Sequence, residues 1–369
     1  MKLRSDTHEV ADALNAIEYC FEQGWTDGLP VVPPTEEKIR EFLEYARLEP
    51  QQVIGTIPER GREITAEKVA INAVMAGCRK EYVPVVVAAI EAVCDPMFQF
   101  NHLASMGSPW PLMIISGPVV KSTGLNYGMW VLGPGTRANS TIGRALSLIV
   151  SNCAEGRSGS LQRGTYGHPG RYGSMCVGEN PEEFGWVPHH VELGFARQES
   201  TVTLVSTYPW IEMPHCPVME PEAILGMISL HIAEAGFYRG VYPILMGRPW
   251  AEVFVRAGWT KPRMIEWMEE NTFQTVAQLK RRKRWGLFGS ENGSDNAHSF
   301  PVESGDDERR VYIWRDGDHD KYVFHEGSRE RKRGMYFIVA GGDAGNRTCF
   351  MCPYMISTNP VTKAVMTVG

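Results

Sequence analysis

The most informative segment of the sequence is Met335-Tyr-Phe-Ile-Val-Ala340, an apolar run that breaks into Gly341-Gly-Asp-Ala-Gly-Asn-Arg347. An apolar run of this length, closed by glycines, is typical of a strand buried in a sheet. The glycine-rich turn leaves backbone N–H groups free to face an anion or an oxyanion. The pattern predicts chemistry at the carboxyl end of this strand, with Gly342, Asp343 and Arg347 as substrate-binding residues.

The same pattern predicts further strands and helices. Residues 111–116 form an apolar run that ends at a Gly-Pro pair, and residues 242–246 form a short strand before helices at 248–257 and 261–283. Strand, turn and helix recurring in this order favour an α/β fold, a layered sheet with several parallel strands and flanking helices. Strands that end at Gly-Pro or Gly-Gly recur along the chain, and a fold built from two related halves is therefore an open alternative.

Composition divides the chain into two regions. Residues 1–110 predict a helical N-terminal region, interrupted over residues 24–35 by a Gly/Pro-rich loop that only tertiary contacts can hold. Residues 111–369 predict an α/β catalytic region. Within it, residues 286–310 are polar and poor in core-forming side chains, which predicts a flexible surface insertion; an active-site lid is the alternative.

The overall composition excludes several classes of function. The 369-residue chain is 43% hydrophobic, enough for a substantial core, and its net charge of −6 provides no basic field for nucleic acid. The start of the chain is charged where a signal peptide needs an apolar core, and no window reaches the roughly 18 uninterrupted apolar residues of a membrane span. We therefore expect a cytoplasmic protein that binds a small-molecule substrate, without nucleic acid or a membrane as partner.

Two of the eight cysteines, Cys349 and Cys352, have an informative spacing and follow the glycine-rich turn. Thiols at i and i+3 can hold a soft metal or form a redox pair, with Cys349 as the catalytic thiol. One pair is half a metal site, so a transition metal (Zn, Fe or Cu) needs further ligands, and His190 is the first choice. The other candidates lie on distant loops: His102, His168, His215 and Asp343. The alternative is two core thiols in the apolar run Cys-Phe-Met-Cys.

Two histidines are candidate acids or bases. His168 lies in a loop between glycines, where an imidazole has few local partners and a pKa near neutrality. The alternative is a histidine packed on Tyr172. In the pair His189-His190, adjacent side chains of a strand point apart, so at most one imidazole enters a given site, and we favour His190.

A glycine turn at 133–135 precedes a helix predicted from about Ser140, and this combination favours an anion. Free N–H groups at the helix terminus, together with Arg137, Asn139 and Ser140, are suited to a carboxylate or a phosphate. The alternative is an ordinary N-cap, in which Asn139 or Ser140 only begins the helix. The chain has no nucleotide motif, since the glycine spacing of a dinucleotide fingerprint and the Gly-Lys-Ser/Thr of a P-loop are absent.

Several stretches spread over most of the chain carry a family resemblance. They are Gly24-Trp-Thr-Asp-Gly-Leu-Pro-Val-Val-Pro-Pro-Thr35, Glu67-Lys-Val-Ala-Ile-Asn-Ala-Val-Met-Ala-Gly-Cys78, Arg137-Ala-Asn-Ser-Thr-Ile-Gly-Arg144, Ala257-Gly-Trp-Thr-Lys261 and Gly341-Gly-Asp-Ala-Gly345. The pattern resembles a poorly characterised bacterial family often labelled thioredoxin-like, and is similar to the (seleno)proteins named for a Sec-Gly-Ser-Cys motif. That motif is absent from this chain, so the resemblance implies no particular redox residue.

Together these patterns predict an enzyme that acts on a small anionic or carbonyl-containing molecule. Its site is expected where Asp27, His168, His190, Arg137 and the loop 341–352 converge. Arginine and glycine amides would hold the anion, and a histidine would move a proton, with Asp27 among the catalytic residues. A Cys/His site favours a metal-dependent oxidoreductase; a metal-dependent lyase or hydrolase is the alternative. A non-catalytic partner subunit of a multi-chain enzyme and an assembly scaffold also stay open, and the Trp, Met and Tyr content leaves room for a homo-oligomer.

Overall fold

The fold is α/β, as the sequence predicts: a mixed sheet of parallel and antiparallel strands curls into a half-barrel flanked by helices. The computed structural model describes residues 1–104, 107–155, 164–173, 175–182, 184–214, 216–235, 240–281, 307–314, 334–344, 347–354 and 359–367.

Helices and strands alternate along most of the chain. In chain order the helices of these residues are α1 (Ala13–Glu22), α2 (Glu36–Tyr45), α3 (Ala66–Ala76), α4 (Val83–Val93), α5 (Val119–Thr123), α6 (Arg137–Ile149), α7 (His189–Glu192), α8 (Pro221–Ala235), α9 (Arg248–Arg256), α10 (Lys261–Asn271) and α11 (Val276–Arg281). The strands are β1 (Val53–Ile57), β2 (Arg62–Thr65), β3 (Trp110–Ser116), β4 (Cys176–Gly178), β5 (Thr201–Glu212), β6 (Val241–Met246), β7 (Phe273–Thr275), β8 (Arg310–Tyr312), β9 (Gly334–Val339), β10 (Thr348–Pro353) and β11 (Val361–Ala364).

The central sheet has the strand order β4-β3-β5-β10-β6-β9, and β11 pairs with β5 beside this path. The pairs at its two ends, β3 with β4 and β6 with β9, are parallel. In the middle, β5 runs antiparallel to β3 and β10, and β10 runs antiparallel to β6. The predicted parallel strands are therefore confined to the two ends of the sheet.

Side chains of the inner strands alternate between two apolar clusters, one on each face of the sheet. On β6, Tyr242, Ile244 and Met246 pack into the cluster that includes α8, α9 and α10. Leu245 packs into the other cluster, which includes α3, α4 and α6. This alternation follows from the pleat of a strand, which directs successive side chains to opposite faces.

The predicted boundary at residue 110 coincides with the start of β3. One apolar cluster contains side chains from Cys20 to Val365, so the residues on both sides of that boundary share a core. Of the predicted insertion, residues 286–306 lie outside the described residues, and Arg310 begins β8. Within the described part of the chain, no helix combines the length and the apolar character needed to cross a membrane.

Candidate functional site

A cavity of about 290 Å³ opens where β3, β4 and β9 end. The chain leaves β3 through Gly117, whose φ of +96° suits glycine, and a Cβ there would lie 2.3 Å from the carbonyl oxygen of Glu199. The backbone N–H of Asn180 donates to the carbonyl oxygen of Val339 (2.7 Å), which joins the end of β4 to the end of β9. Three strand ends therefore meet at this cavity.

Glu179 follows β4 directly and is 4% exposed. Its backbone N–H donates to the carbonyl oxygen of Ile115 (2.8 Å), which fixes the residue beside β3. Its carboxylate accepts the backbone N–H of His189, at 3.0 and 2.9 Å from the two oxygens. Burial raises the pKa of Glu179, although Lys261, Ser116, His189 and His190 each act to lower it.

Lys261 is the first residue of α10 and is also 4% exposed. Its ammonium group donates to the carbonyl oxygen of Val187 (3.0 Å) and to Oε2 of Glu192 (2.9 Å), and lies 3.8 Å from Oε1 of Glu179. Burial raises the pKa of Glu192, opposed by Lys261 and reinforced by Glu179. The three side chains form a group, Glu179–Lys261–Glu192, in which two carboxyls share one ammonium ion.

Of the two adjacent histidines, His190 lines the cavity and His189 does not. Nε2 of His190 lies 3.4 Å from the carbonyl oxygen of Arg197, whereas Nδ1 is buried without a hydrogen-bond partner among the described residues. The ring of His189 packs edge-on against Tyr336, with the centroids 4.6 Å apart. Burial, with help from Lys261 and His190, lowers the pKa of His189 to about 3, so His189 is neutral at physiological pH.

The rim of the cavity carries both charges and aromatic rings. Lys121 and Arg197 provide cations, and Glu182 forms a surface ion pair with Arg248. Trp186 also lines the cavity, and its indole N–H donates to the carbonyl oxygen of Trp259 (3.0 Å). The site can therefore attract a small anion and hold it beside the buried carboxyl and ammonium groups.

Asp27, a predicted catalytic residue, forms an ion pair with Arg144 and does not line the 290 Å³ cavity. Its two carboxylate oxygens accept Nε and Nη2 of Arg144, each at 2.8 Å. The same guanidinium donates to the carbonyl oxygens of Leu29 (3.2 Å) and Pro30 (2.9 Å). This bidentate pair supplies the tertiary contact that the Gly/Pro-rich loop requires, because it fastens residues 24–35 to α6.

The predicted anion site at the start of α6 is occupied by the protein itself. α6 begins at Arg137, so Asn139 and Ser140 lie within the helix rather than at its cap. The side chain of Asn139 accepts the N–H of Asn126 (2.7 Å) and donates to the carbonyl oxygens of Asn126 (3.0 Å) and Cys176 (2.9 Å). Nε of Arg137 donates to the carbonyl oxygen of Gly77 (3.0 Å). None of the three predicted residues lines the 290 Å³ cavity.

The glycine turn after β9 is likewise covered by the chain. The N–H of Gly341 donates to the carbonyl oxygen of Tyr127 (2.9 Å), and a Cβ on Gly342 would lie 2.9 Å from Cα of Met129. Asp343 is exposed, and Arg347 forms a surface ion pair with Glu212 (3.2 Å). These three candidates, Gly342, Asp343 and Arg347, therefore do not form an anion cradle with the catalytic candidates.

Cys349 and Cys352 lie on β10 and not in a turn. Residues three apart on a strand face opposite sides of the sheet, so Cys349 packs against one apolar cluster and Cys352 belongs to the other. Burial raises the pKa of each thiol to about 12. This geometry does not favour a chelating or redox pair, and it matches the alternative of two core thiols.

The predicted ligand set of Cys349, Cys352 and His190 is not assembled. Among the described residues, no three His, Cys, Asp or Glu side chains are grouped so as to hold a metal ion. His215, another candidate ligand, lies outside the described residues.

His168 is buried away from the cavity. Its Nδ1 accepts the N–H of Gly170 (2.9 Å), and its Nε2 has no hydrogen-bond partner in the described structure. Burial lowers the pKa of His168 to about 4, with an opposing effect from the backbone of Tyr208 and a supporting one from Arg171. The convergence of His168, His190 and the loop 341–352 in one site, as predicted, is not found.

The sequence reasoning missed Glu179, Lys261 and Glu192. Lys261 offered one signal: a lysine at the first position of a helix opposes the helix dipole and needs a compensating partner. Glu179, directly after the apolar residues of β4, offered another, since acidic residues at strand ends are frequent in sites. A scan against protein-family models finds no match to this chain, and no curated protein matches it. The resemblance to the Sec-Gly-Ser-Cys proteins stays a prediction.

Proposed function

We propose that this chain is an enzyme that moves a proton to or from a small carboxylate- or carbonyl-containing molecule bound in the cavity beside Glu179. The observation that carries the proposal is the group Glu179–Lys261–Glu192, in which one buried ammonium ion serves two carboxyls. A buried carboxyl of raised pKa that lines a cavity, as Glu179 does, is typical of an acid–base catalyst.

The charge of this group supports proton exchange. One ammonium ion neutralises one carboxylate, so the group keeps a net negative charge when both carboxyls are ionised. Burial penalises that charge, and it raises the pKa of both Glu179 and Glu192. A proton bound by the pair removes the penalty, and the pair titrates as one coupled unit. A carboxylate of raised pKa is a stronger base than an ordinary glutamate.

The reaction class follows from these groups. A C–H bond next to a carboxylate or carbonyl breaks, its proton passes to the carboxylate of Glu179, and the electron pair moves onto the substrate oxygen as an enolate. The ammonium of Lys261 stabilises that oxygen, while Lys121 and Arg197 attract the anionic substrate. If the proton returns to the substrate, the reaction is an isomerisation or racemisation. If a leaving group departs from the next carbon, the reaction is that of a lyase.

The cavity limits the size of the substrate. Its volume of about 290 Å³ lies at the small end of ligand cavities, which span roughly 300–1,000 Å³. The proposal keeps the small anionic or carbonyl substrate expected from the sequence. It replaces the Cys/His oxidoreductase chemistry, because Cys349 and Cys352 face opposite sides of the sheet.

Deuterium exchange tests the proposal without knowledge of the natural substrate. The protein is incubated in D₂O with a set of small 2-oxo acids, 2-hydroxy acids and dicarboxylates, and proton NMR follows loss of the signal next to the carbonyl or carboxylate. We expect exchange with at least one compound, slowed by about 10²- to 10⁴-fold in Glu179→Gln, the usual contribution of a catalytic acid or base.

Glu182→Gln is the matched control, because Glu182 lies on the same rim but is exposed and paired with Arg248. Exchange in this variant should equal that of the native protein. Exchange that is equally fast in Glu179→Gln and in the native protein contradicts the proposal, as does an absence of exchange with every compound in the set.

A further inference from the structure

A second cavity, of about 750 Å³, lies beneath α1 and shares no lining residue with the cavity at Glu179. Its walls come from residues 3–12, α1, the start of α2, α3 and the π-helical segment Val150–Glu155 that follows α6. The volume falls within the range of cavities that bind small molecules, roughly 300–1,000 Å³. It is therefore a separate space and not an extension of the proposed active site.

The packing of α1 points to an occupant of this cavity. Cys20 is the one buried residue of this ten-residue helix. Helices of this length are marginal in water and depend on apolar packing. Ala13, Ala16 and Cys20 of α1 line the cavity from one side, and Ile71 and Met75 of α3 line it from the other. An apolar molecule between the two helices would supply the contact that α1 lacks.

Electrostatics determine the charge of that molecule. Four acidic residues line the cavity, against a single lysine whose ammonium donates to the carbonyl oxygen of Glu63 (3.1 Å). The acidic residues are Asp6, Asp12, Glu36 and Glu67, and of these Glu36 is paired with Arg40 (3.2 Å). The carboxylate of Glu67 is buried, and its donors among the described residues are all neutral: the N–H groups of Arg4 and Ser5, and Nε2 of Gln51. The local field therefore favours a cation and opposes an anion.

The floor and one wall of the cavity suit an amino group. Asn152 donates its amide N–H groups to Asn72 (2.7 Å) and to the carbonyl oxygen of Trp25 (3.0 Å). Its oxygen accepts no hydrogen bond from the part of the chain that the structure describes. The rings of His8, Tyr19 and Trp25 form an aromatic wall, with centroids 5.3 to 5.8 Å apart. Aromatic rings attract cations, and a free amide oxygen accepts an ammonium N–H.

We propose that this cavity binds a small hydrophobic amine, a molecule with a protonated amino group on an apolar or aromatic body. The apolar body fills the space between α1 and α3. The amino group meets the acidic lining and the amide oxygen of Asn152. Binding adds apolar contacts to α1, so the amine stabilises the folded protein.

Three matched probes test the proposal: 2-phenylethylamine, neutral 2-phenylethanol and anionic 3-phenylpropanoate. Binding is measured by calorimetry and by the rise in melting temperature. We expect the amine to bind at least about tenfold more tightly than the carboxylate, with a difference that shrinks as salt is added. Ala16→Phe fills the cavity and should weaken binding of the amine at least about tenfold.

Leu14→Phe is the control for Ala16→Phe, because Leu14 is on the same helix but is 75% exposed and does not line the cavity. It should leave binding of the amine unchanged. Ile71→Phe fills the same space from α3 and is the cavity-filling variant to use if Ala16→Phe fails to fold. The proposal is overturned if no probe binds at millimolar concentration, if the carboxylate binds as tightly as the amine, or if a folded cavity-filling variant binds like the native protein.

Discussion

Two glutamates among the residues that the structure describes are almost completely buried, and their surroundings shift their pKa values in opposite directions. Burial acts to raise the pKa of Glu67, but hydrogen bonds from Ser5, Arg4 and Gln51 outweigh it and hold the pKa below the ordinary value of 4.5. For Glu179, burial outweighs the lowering effect of Lys261 and the hydrogen-bond donors, and the pKa lies above 4.5.

Burial alone therefore does not mark a functional carboxyl. The carboxylate of Glu67 is surrounded by donors that stabilise its charge, and it fastens the start of the chain to α3. Glu179 receives one backbone N–H and shares its cation with Glu192. A buried carboxylate whose charge is stabilised by several hydrogen bonds holds the structure together. A carboxylate at a cavity wall that shares its cation with a second carboxylate is instead poised to take up a proton.

Removal of the Lys261 ammonium group, which Glu179 and Glu192 share, should cause the largest loss of stability. Lys261→Met leaves two carboxyls without their ammonium partner, so we expect the free energy of unfolding at neutral pH to fall by roughly 3–5 kcal/mol. Urea unfolding measures the loss. The double variant Lys261→Met/Glu179→Gln should recover a large part of it, since the more deeply buried of the two carboxylates is gone. A loss below about 1 kcal/mol in Lys261→Met contradicts the account of a charge-sharing group.

A smaller loss of stability is expected when Glu67 is replaced. Glu67→Gln replaces one acceptor oxygen by an NH₂ group that faces backbone N–H donors, so the free energy of unfolding should fall by roughly 1–3 kcal/mol. The milder control Gln51→Ala removes one donor and should cost about 0.5–1.5 kcal/mol. Equal stability of Glu67→Gln and the native protein would show that the hydrogen bonds to Glu67 do not fasten the chain.

The pH dependence of stability should separate the two residues by sign. Folded Glu179 binds its proton more tightly than the unfolded chain, so its contribution to stability declines as pH rises above 4.5. Folded Glu67 binds its proton less tightly, so its contribution is lost as pH falls below 4.5. In urea unfolding over a pH series, Glu179→Gln should flatten the profile above 4.5 and Glu67→Gln below it. The reverse assignment contradicts the pKa directions.

Local pattern was enough to predict much of the architecture. The apolar run Met335–Ala340 is β9 (Gly334–Val339), and the run at 242–246 lies within β6. The helix expected from Ser140 begins three residues earlier, at Arg137, because Thr136 rather than a later residue takes the N-cap position. These elements follow from apolar runs and glycine turns, which act over a few residues.

The antiparallel centre of the sheet and the site depend on contacts between distant residues. The glycine turn before Cys349 suggested a loop, yet the run Cys-Phe-Met-Cys pairs with both β5 and β6 and continues the sheet. Pairing with two neighbours, not the local spacing of cysteines, decided its structure. Glu179 and Lys261 lie far apart in sequence and come into contact only when β4 and α10 have packed in the folded protein. No local motif therefore predicted them.

A carbon-13 NMR titration of the glutamate carboxyl carbons shows directly whether Glu179 is poised to exchange a proton and Glu67 is not. Glu67→Gln and Glu179→Gln assign the two signals. We expect Glu179 to titrate above the ordinary value of 4.5 and Glu67 below it. A Glu179 signal that titrates at or below 4.5 would contradict this expectation, because that carboxyl would then be a satisfied anion like Glu67.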